Sequence, residues 1–140
     1  MEPFVYLKHI ADAEFIAYGD TIDSTFDHAA LATFNLMIDP KAVRLDTSKD
    51  VELESDALDT LLYDWLSELL YIFEVDRLIF GKFDAHVTKE GDNYRLKATA
   101  YGEPVTQSLN LYMHIKAVTY HDLRFEKRNN IYEAQVLLDI

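Results

Sequence analysis

Between Leu58 and Phe73, eight large apolar residues (Leu58, Leu61, Leu62, Trp65, Leu66, Leu69, Leu70 and Phe73) recur at steps of three and four, with Asp59, Asp64, Ser67 and Glu68 opposite. That spacing is the repeat of an α-helix, and a stripe so wide must be buried against another layer. Asp56 is the expected N-cap. The run cannot serve as a membrane span, because from Leu58 to Phe80 it is broken by Asp59, Asp64, Glu68, Glu74 and Asp76.

The rest of the chain can supply the cover. Hydrophobic residues make up 49% and aromatic residues 13% of the 140 positions, enough for a core in a single domain of this size. Four glycines and three prolines leave almost no linker material, so residues 1–140 are expected to form one unit. A second helix is expected after Thr21, burying Ile22, Phe26, Ala29, Ala30, Phe34 and Met37 and ending at Asp39-Pro40. Asp23 and Asp27 fall in its early turns, where the helix dipole favours anions.

The remaining segments read as strands. Phe4 to His9 and Glu14 to Tyr18 flank a turn at Ile10 to Ala13, and Val51 to Glu54 is a short strand. Arg77 to Phe80, Asp84 to Lys89 and Tyr94 to Ala100 follow, with a hairpin turn at Gly91-Asp92-Asn93. After a loop from Gly102 to His114, Lys116 to Glu126 and Ile131 to Leu138 form a last hairpin around Arg128-Asn129-Asn130. Two helices among hairpin-linked strands predict an α+β fold: a two-layer domain with a mostly antiparallel or mixed β-sheet and the two α-helices packed on one face.

Charge narrows the function. Thirteen Lys and Arg against twenty-five Asp and Glu give a formal charge of −12. Nucleic-acid affinity rests on basic side chains displacing counterions, so stand-alone binding of DNA or RNA is not expected. A basic partner or a cation suits this surface better. Cysteine is absent, which removes disulfides, thiolate zinc sites and cysteine nucleophiles together. Met1-Glu2-Pro3-Phe4 lacks the basic start of a signal peptide, so a soluble, cytoplasmic protein is expected.

No phosphate-binding loop, dinucleotide fingerprint, His-Glu-x-x-His or nucleophile elbow occurs. Carboxylates are the abundant reactive group, and a hard cation held by oxygens is their natural ligand. Glu52, Glu54, Asp59 and Glu68 read as solvated faces of their elements. Asp12, in a turn, and Asp139, directly after the apolar run Val136-Leu137-Leu138, stand out, as does the α-carboxylate of Ile140. On spacing alone the solvated reading is favoured for Asp139 too, since no local pattern brings residue 12 beside residue 139.

Several blocks, in order, carry a resemblance. They are His9-Ile10-Ala11-Asp12, Ala17-Tyr18-Gly19, Phe26-Asp27-His28-Ala29-Ala30-Leu31-Ala32, Met37-Ile38-Asp39 and the helix Leu61 to Leu70. Ala100-Tyr101-Gly102-Glu103-Pro104, Ile115-Lys116-Ala117-Val118-Thr119-Tyr120-His121 and the closing Leu138-Asp139-Ile140 complete the set. Together they resemble the archease family nearly end to end. The resemblance implies a small, non-catalytic activator of the RtcB-type tRNA-splicing RNA ligase. Such a protein promotes guanylylation of the ligase's catalytic histidine and its multiple turnover, and broadens its nucleotide use.

The resemblance also implies a metal site at Asp12, Asp139 and the terminal carboxylate of Ile140, with Ca²⁺ the usual ion and Mg²⁺ or Mn²⁺ the alternatives; all-oxygen donors suit such hard cations. It reverses the solvated reading of Asp139. Lys116 becomes a candidate contact to the ligase or its nucleotide, against an ordinary exposed lysine. His9 and His121 read as core residues or as supports for the metal ligands, and Tyr63 and Trp65 as packing residues. Two departures affect interface detail: Ile10 stands where the family usually has Thr, and Val105 to His114 is shortened and lacks an Arg-His pair.

Two other classes compete: a metal-dependent phosphoester hydrolase using the same carboxylates, and a general chaperone or scaffold for RNA-processing enzymes. No unsatisfied apolar stripe demands a partner subunit, so a monomer or weak oligomer is expected.

Overall fold

The computed structural model describes residues 1–8 and 12–140. His9, Ile10 and Ala11 lie outside the described residues, and with them the readings of His9 and Ile10 and most of the expected turn. Among the described residues the order is β1 (Phe4–Leu7), β2 (Asp12–Gly19), α1 (Ile22–Asn35), a 3₁₀ turn (Pro40–Ala42), β3 (Thr47–Ser55), α2 (Leu58–Asp76), β4 (Leu78–Glu90), β5 (Asn93–Pro104), β6 (Ala117–Val118), β7 (Arg124–Arg128) and β8 (Ile131–Asp139). The fold is α+β, as expected, but its strands form two sheets and every pairing is antiparallel. One sheet runs β1-β2-β8-β6 with β7 also on β8; the other runs β3-β5-β4.

Helix α1 begins as the sequence predicts. The Thr21 hydroxyl accepts from the Ser24 amide, and the Ser24 hydroxyl answers from the Thr21 amide, a reciprocal cap worth about 1 kcal/mol. The helix stops at Asn35, short of Asp39-Pro40. Met37 is fully buried beyond its end, and its carbonyl accepts from the Tyr112 amide at 2.7 Å, a tertiary bond in place of a helical one. Asp39 caps the 3₁₀ turn by accepting from the Lys41 amide.

Helix α2 runs three residues past the predicted stripe, and its N-cap is Ala57 rather than Asp56. Ala57 is in an extended conformation without a side-chain cap; the Asp59 carboxylate accepts from the Thr60 amide instead. Trp65 is fully buried, and its indole N–H donates to the Phe26 carbonyl at 3.1 Å, tying α2 to α1.

Several strand predictions change. Asp12 and Ala13, expected in a turn, open β2, and β3 runs Thr47–Ser55 rather than Val51 to Glu54, because both segments are held by antiparallel partners along their length. Arg77–Phe80 and Asp84–Lys89 are one strand, β4, because Gly81 is an extra residue at a bulge between Phe80 and Lys82 rather than a break. Residues Gly102 to Pro104, expected in a loop, belong to β5. The expected strand Lys116–Glu126 is split into β6 and β7 around Asp122, whose φ is 59°. The Asn129-Asn130 turn has φ of 53° and 65°, the pair of left-handed residues a tight hairpin requires.

Two glycines of the recognised blocks sit where no side chain fits. A Cβ on Gly19 would lie 2.3 Å from the Thr25 hydroxyl, and one on Gly102 would lie 1.8 Å from the Ile79 carbonyl oxygen. The core side of β2 and β8 is Phe15, Ala17, Ala134, Val136 and Leu138, against which α1 packs.

Candidate functional site

Burying Phe15 and Ala17 opposite Val136 and Ala134 sets the register of β2 on β8, and that register places Asp12 directly opposite Asp139. Side chains alternate along a strand, so these two carboxylates share the sheet face away from that core, with Glu14 next along β2. Directly opposed residues have Cβ atoms about 5 Å apart, close enough for both carboxylates to share one ligand. β6 closes the other side of β8: Ala117 pairs with Asp139, and the Lys116 amide donates to the Asp139 carbonyl at 2.8 Å. The main chain at Lys116 therefore pins the end of the last strand, while the Lys116 side chain is exposed.

Asp12, Glu14 and Ile140 line one cavity of about 580 Å³ with Tyr6, Leu36 and Met113. The structure thus brings Asp12, Asp139 and Ile140 to one end of one sheet, with the Lys116 backbone at the same end. Among the described residues no three His, Asp or Glu side chains converge to hold a metal. Asp12 and Asp139 would therefore need a further oxygen donor, and the chain-terminal carboxylate of Ile140 is of the right kind. The donor set is all hard oxygen, which fits Ca²⁺ or Mg²⁺ and not copper or zinc.

Glu14 is a charged residue that the sequence did not single out. It is buried, and the Gln135 amide donates to it at 3.1 Å. Gln135 accepts in turn from Arg124 Nε at 2.6 Å, and Arg124 is paired with Glu126 at 2.8 Å and Glu133 at 3.1 Å. This polar chain crosses the same sheet face and stiffens the strands that carry the two aspartates.

A second acidic pair does different work. Asp23 and Asp27, one turn apart on α1, accept the amides of Val87 and Ala85 at 2.8 Å each. β4 is the edge of its sheet, and these carboxylates satisfy the outward amides another strand would otherwise take. Burial pushes the Asp27 carboxyl up to about 7; the Ala85 amide and His86 lower it, and the charges of Asp84 and Asp23 add to the rise.

Other expected residues resolve plainly. Trp65 is core. Tyr63 stacks on Tyr120 with ring centroids 4.0 Å apart and planes 9° from parallel. His121 is neither core nor beside Asp12: it is exposed, 3.6 Å from Asp122. No helix of the described residues is long and apolar enough to cross a membrane.

The model of the Archease protein family matches residues 4–140. The chain is similar to the protein archease of Methanosarcina mazei, 46% identical over 139 residues that cover 98% of this chain and 95% of that one. It is 35% identical to the protein archease of Methanothermobacter thermautotrophicus over the full length of both. Among solved structures, the solution structure of Methanobacterium thermoautotrophicum protein 1598 superimposes with a TM-score of 0.91 at 35% identity, covering 100% of both chains. The crystal structure of a Thermotoga maritima protein, described as an archease and possible chaperone, has a TM-score of 0.62 at 18% identity over 96% of this chain and 94% of that one, and shows the shared fold alone.

Proposed function

Because this chain belongs to the archease family, we propose that it is a non-catalytic activator of an RtcB-type tRNA-splicing RNA ligase in the cytoplasm. On this reading it promotes guanylylation of the ligase and its multiple turnover, and widens the nucleotides the ligase accepts. The observation that carries the reading is the register of β2 on β8, which sets Asp12 opposite Asp139 beside the chain end.

Asp12, Asp139 and the Ile140 carboxylate would hold a cation, Ca²⁺ by preference and Mg²⁺ or Mn²⁺ as alternatives. The ion would neutralise their mutual repulsion and offer a positive centre to oxygen ligands at the interface. The chain's own contribution is positioning. The β2–β8 pairing holds the two aspartates on one face, the Lys116 amide fixes the Asp139 main chain, and the Glu14–Gln135–Arg124 chain braces the sheet behind them. The Lys116 side chain is exposed, which supports its assignment as a contact to an anionic group of the ligase or its nucleotide.

A single-turnover assay of the cognate ligase, with labelled GTP and with or without this protein, tests the proposal. Covalent guanylylation should rise at least ten-fold with the protein present, and substoichiometric protein should support repeated ligation. An unchanged rate at saturating protein overturns the reading.

A further inference from the structure

The cavity that Asp12 shares with the chain end has one basic residue in its lining. Asp12 and Glu14 bring carboxylates to it and Ile140 the end of the chain, and Lys8 is its one Lys, Arg or His among the described residues. The other polar groups there are already engaged. The Tyr6 hydroxyl donates to the Ala32 carbonyl at 2.8 Å and accepts from Asn35 at 3.1 Å, and the Gln135 amide donates to Glu14.

The Lys8 main chain is fixed and its side chain is not. β1 ends at Leu7, directly opposite Glu14, so Lys8 leaves the sheet beside the end of β2 that carries Asp12. Its side chain is exposed and makes no ion pair or hydrogen bond with any described residue. Other lysines are committed: Lys49 pairs with Asp76, and Lys82, Lys89 and Lys127 lie over tyrosine rings. Lys116 lines a different cavity, against Tyr63 and Leu70 of α2. A lysine carries three N–H donors at the end of a flexible four-carbon stem, so the Lys8 ammonium can move between the cavity and water.

Two kinds of cation then compete for the same oxygens. The opposed carboxylates of Asp12 and Asp139 destabilise the metal-free fold until a positive group approaches them. An ammonium supplies one charge and short-range N–H donors; a divalent ion supplies two charges and gathers several oxygens at once. The two cannot occupy one set of oxygens together.

We propose that Lys8 is a built-in counterion that competes with the divalent cation: its ammonium sits at the Asp12 end of the cavity when no metal is bound and is expelled when metal enters. The inference rests on the reading of Asp12, Asp139 and the Ile140 carboxylate as a cation site, and adds the residue that sets its threshold. A monovalent ion would gain no charge over the ammonium it replaces, so Lys8 also favours divalent ions. Once expelled, the ammonium joins the exposed face beside the filled site.

Titration of the metal-free, full-length protein with Ca²⁺ alone, followed by calorimetry, tests the competition. Lys8→Gln should bind Ca²⁺ about three- to five-fold more tightly, since no ion pair then has to be broken first. Lys89→Gln makes the same charge change on the other sheet and should leave affinity unchanged. An equal gain there would reduce the effect to net charge and overturn the proposal. Nitrogen-15 spectra of the lysine ammonium groups, recorded cold to slow proton exchange, give a readout independent of affinity, with Lys8→Arg identifying the Lys8 signal. That signal should shift on saturation with Ca²⁺, and Asp12→Asn should shift it in the metal-free protein. Lys8 is exposed, and thermal unfolding checks that its variants are folded. A Lys8 signal unmoved by Ca²⁺, or unchanged affinity in Lys8→Gln, overturns the competition and leaves the cation site standing. Unmodified protein that takes up no Ca²⁺ overturns both.

Discussion

Two pairs of aspartates stand in opposite situations in this molecule. Asp23 and Asp27 each receive a backbone amide of the β4 edge at 2.8 Å, so their oxygens complete a sheet. Asp12 and Asp139 face each other across β2 and β8, with like charges set side by side, and Lys8 lines the same cavity as Asp12. A carboxylate that caps an amide stabilises the fold; two carboxylates forced together cost stability until something positive arrives. The difference separates a structural pair from one suited to a ligand, and it lies in the neighbouring backbone, because the residue type is the same.

The largest test of that contrast removes the opposed pair. Asp12→Ala, Asp139→Ala, or extension of the chain past Ile140 should each reduce Ca²⁺ affinity at least ten-fold by calorimetry. Each aspartate replacement should also abolish stimulation of ligase guanylylation, with the unfolding midpoint unchanged or slightly raised. Full Ca²⁺ affinity in the extended chain would remove the Ile140 carboxylate from the site.

Replacing the capping pair should have the converse outcome. Asp23→Ala with Asp27→Ala strips acceptors from the Val87 and Ala85 amides and should cost about 1–3 kcal/mol in urea unfolding, the usual cost of unsatisfied amides. Stimulation per folded molecule should be unchanged. A loss of stimulation without loss of stability would erase the distinction between the pairs.

The smallest expected effect is the pH dependence contributed by Asp27. Its carboxyl titrates at about 7 in the fold, raised by burial from an ordinary 3.8. Between those values the folded protein keeps a proton that the unfolded chain has released, so stability falls as pH rises from about 4 to about 7 and stays lower above. Partial exposure limits the effect to the order of 1 kcal/mol. Asp27→Asn keeps an oxygen for the Ala85 amide and carries no charge against Asp23 and Asp84. Its stability relative to the unmodified protein should therefore grow between pH 5 and pH 8 in urea titrations; parallel profiles would show that Asp27 does not titrate there.

Much of the local architecture was legible beforehand. The leucine stripe of α2, the Thr21 cap and the Asn129-Asn130 turn are short-range signals, set by helical periodicity, a hydroxyl beside free amides, and tolerance of positive φ. The two strands expected on either side of residues 81–83 are one, because the chain continues through a bulge at Gly81. The α2 cap fell on Ala57 because Asp59 meets the need from inside the first turn. Of the candidate site, only the resemblance linked Asp12 to Asp139; the residues alone favoured a solvated Asp139. Tyr120 carried no signal, since its partner Tyr63 lies far away in sequence on α2.

The −12 charge, the absence of cysteine and the two apolar helix faces are properties of the sequence by itself, and they limit the chain to an acidic α+β domain suited to a cation or a basic partner. Which carboxylates meet was decided only in the tertiary structure. Strands from the two ends of the chain pair because Phe15 and Ala17 share a buried face with Val136 and Ala134. The two-residue period of a strand then places Asp12 and Asp139 together on the other face. No local pattern encodes that meeting, because it depends on which distant apolar surfaces exclude water together.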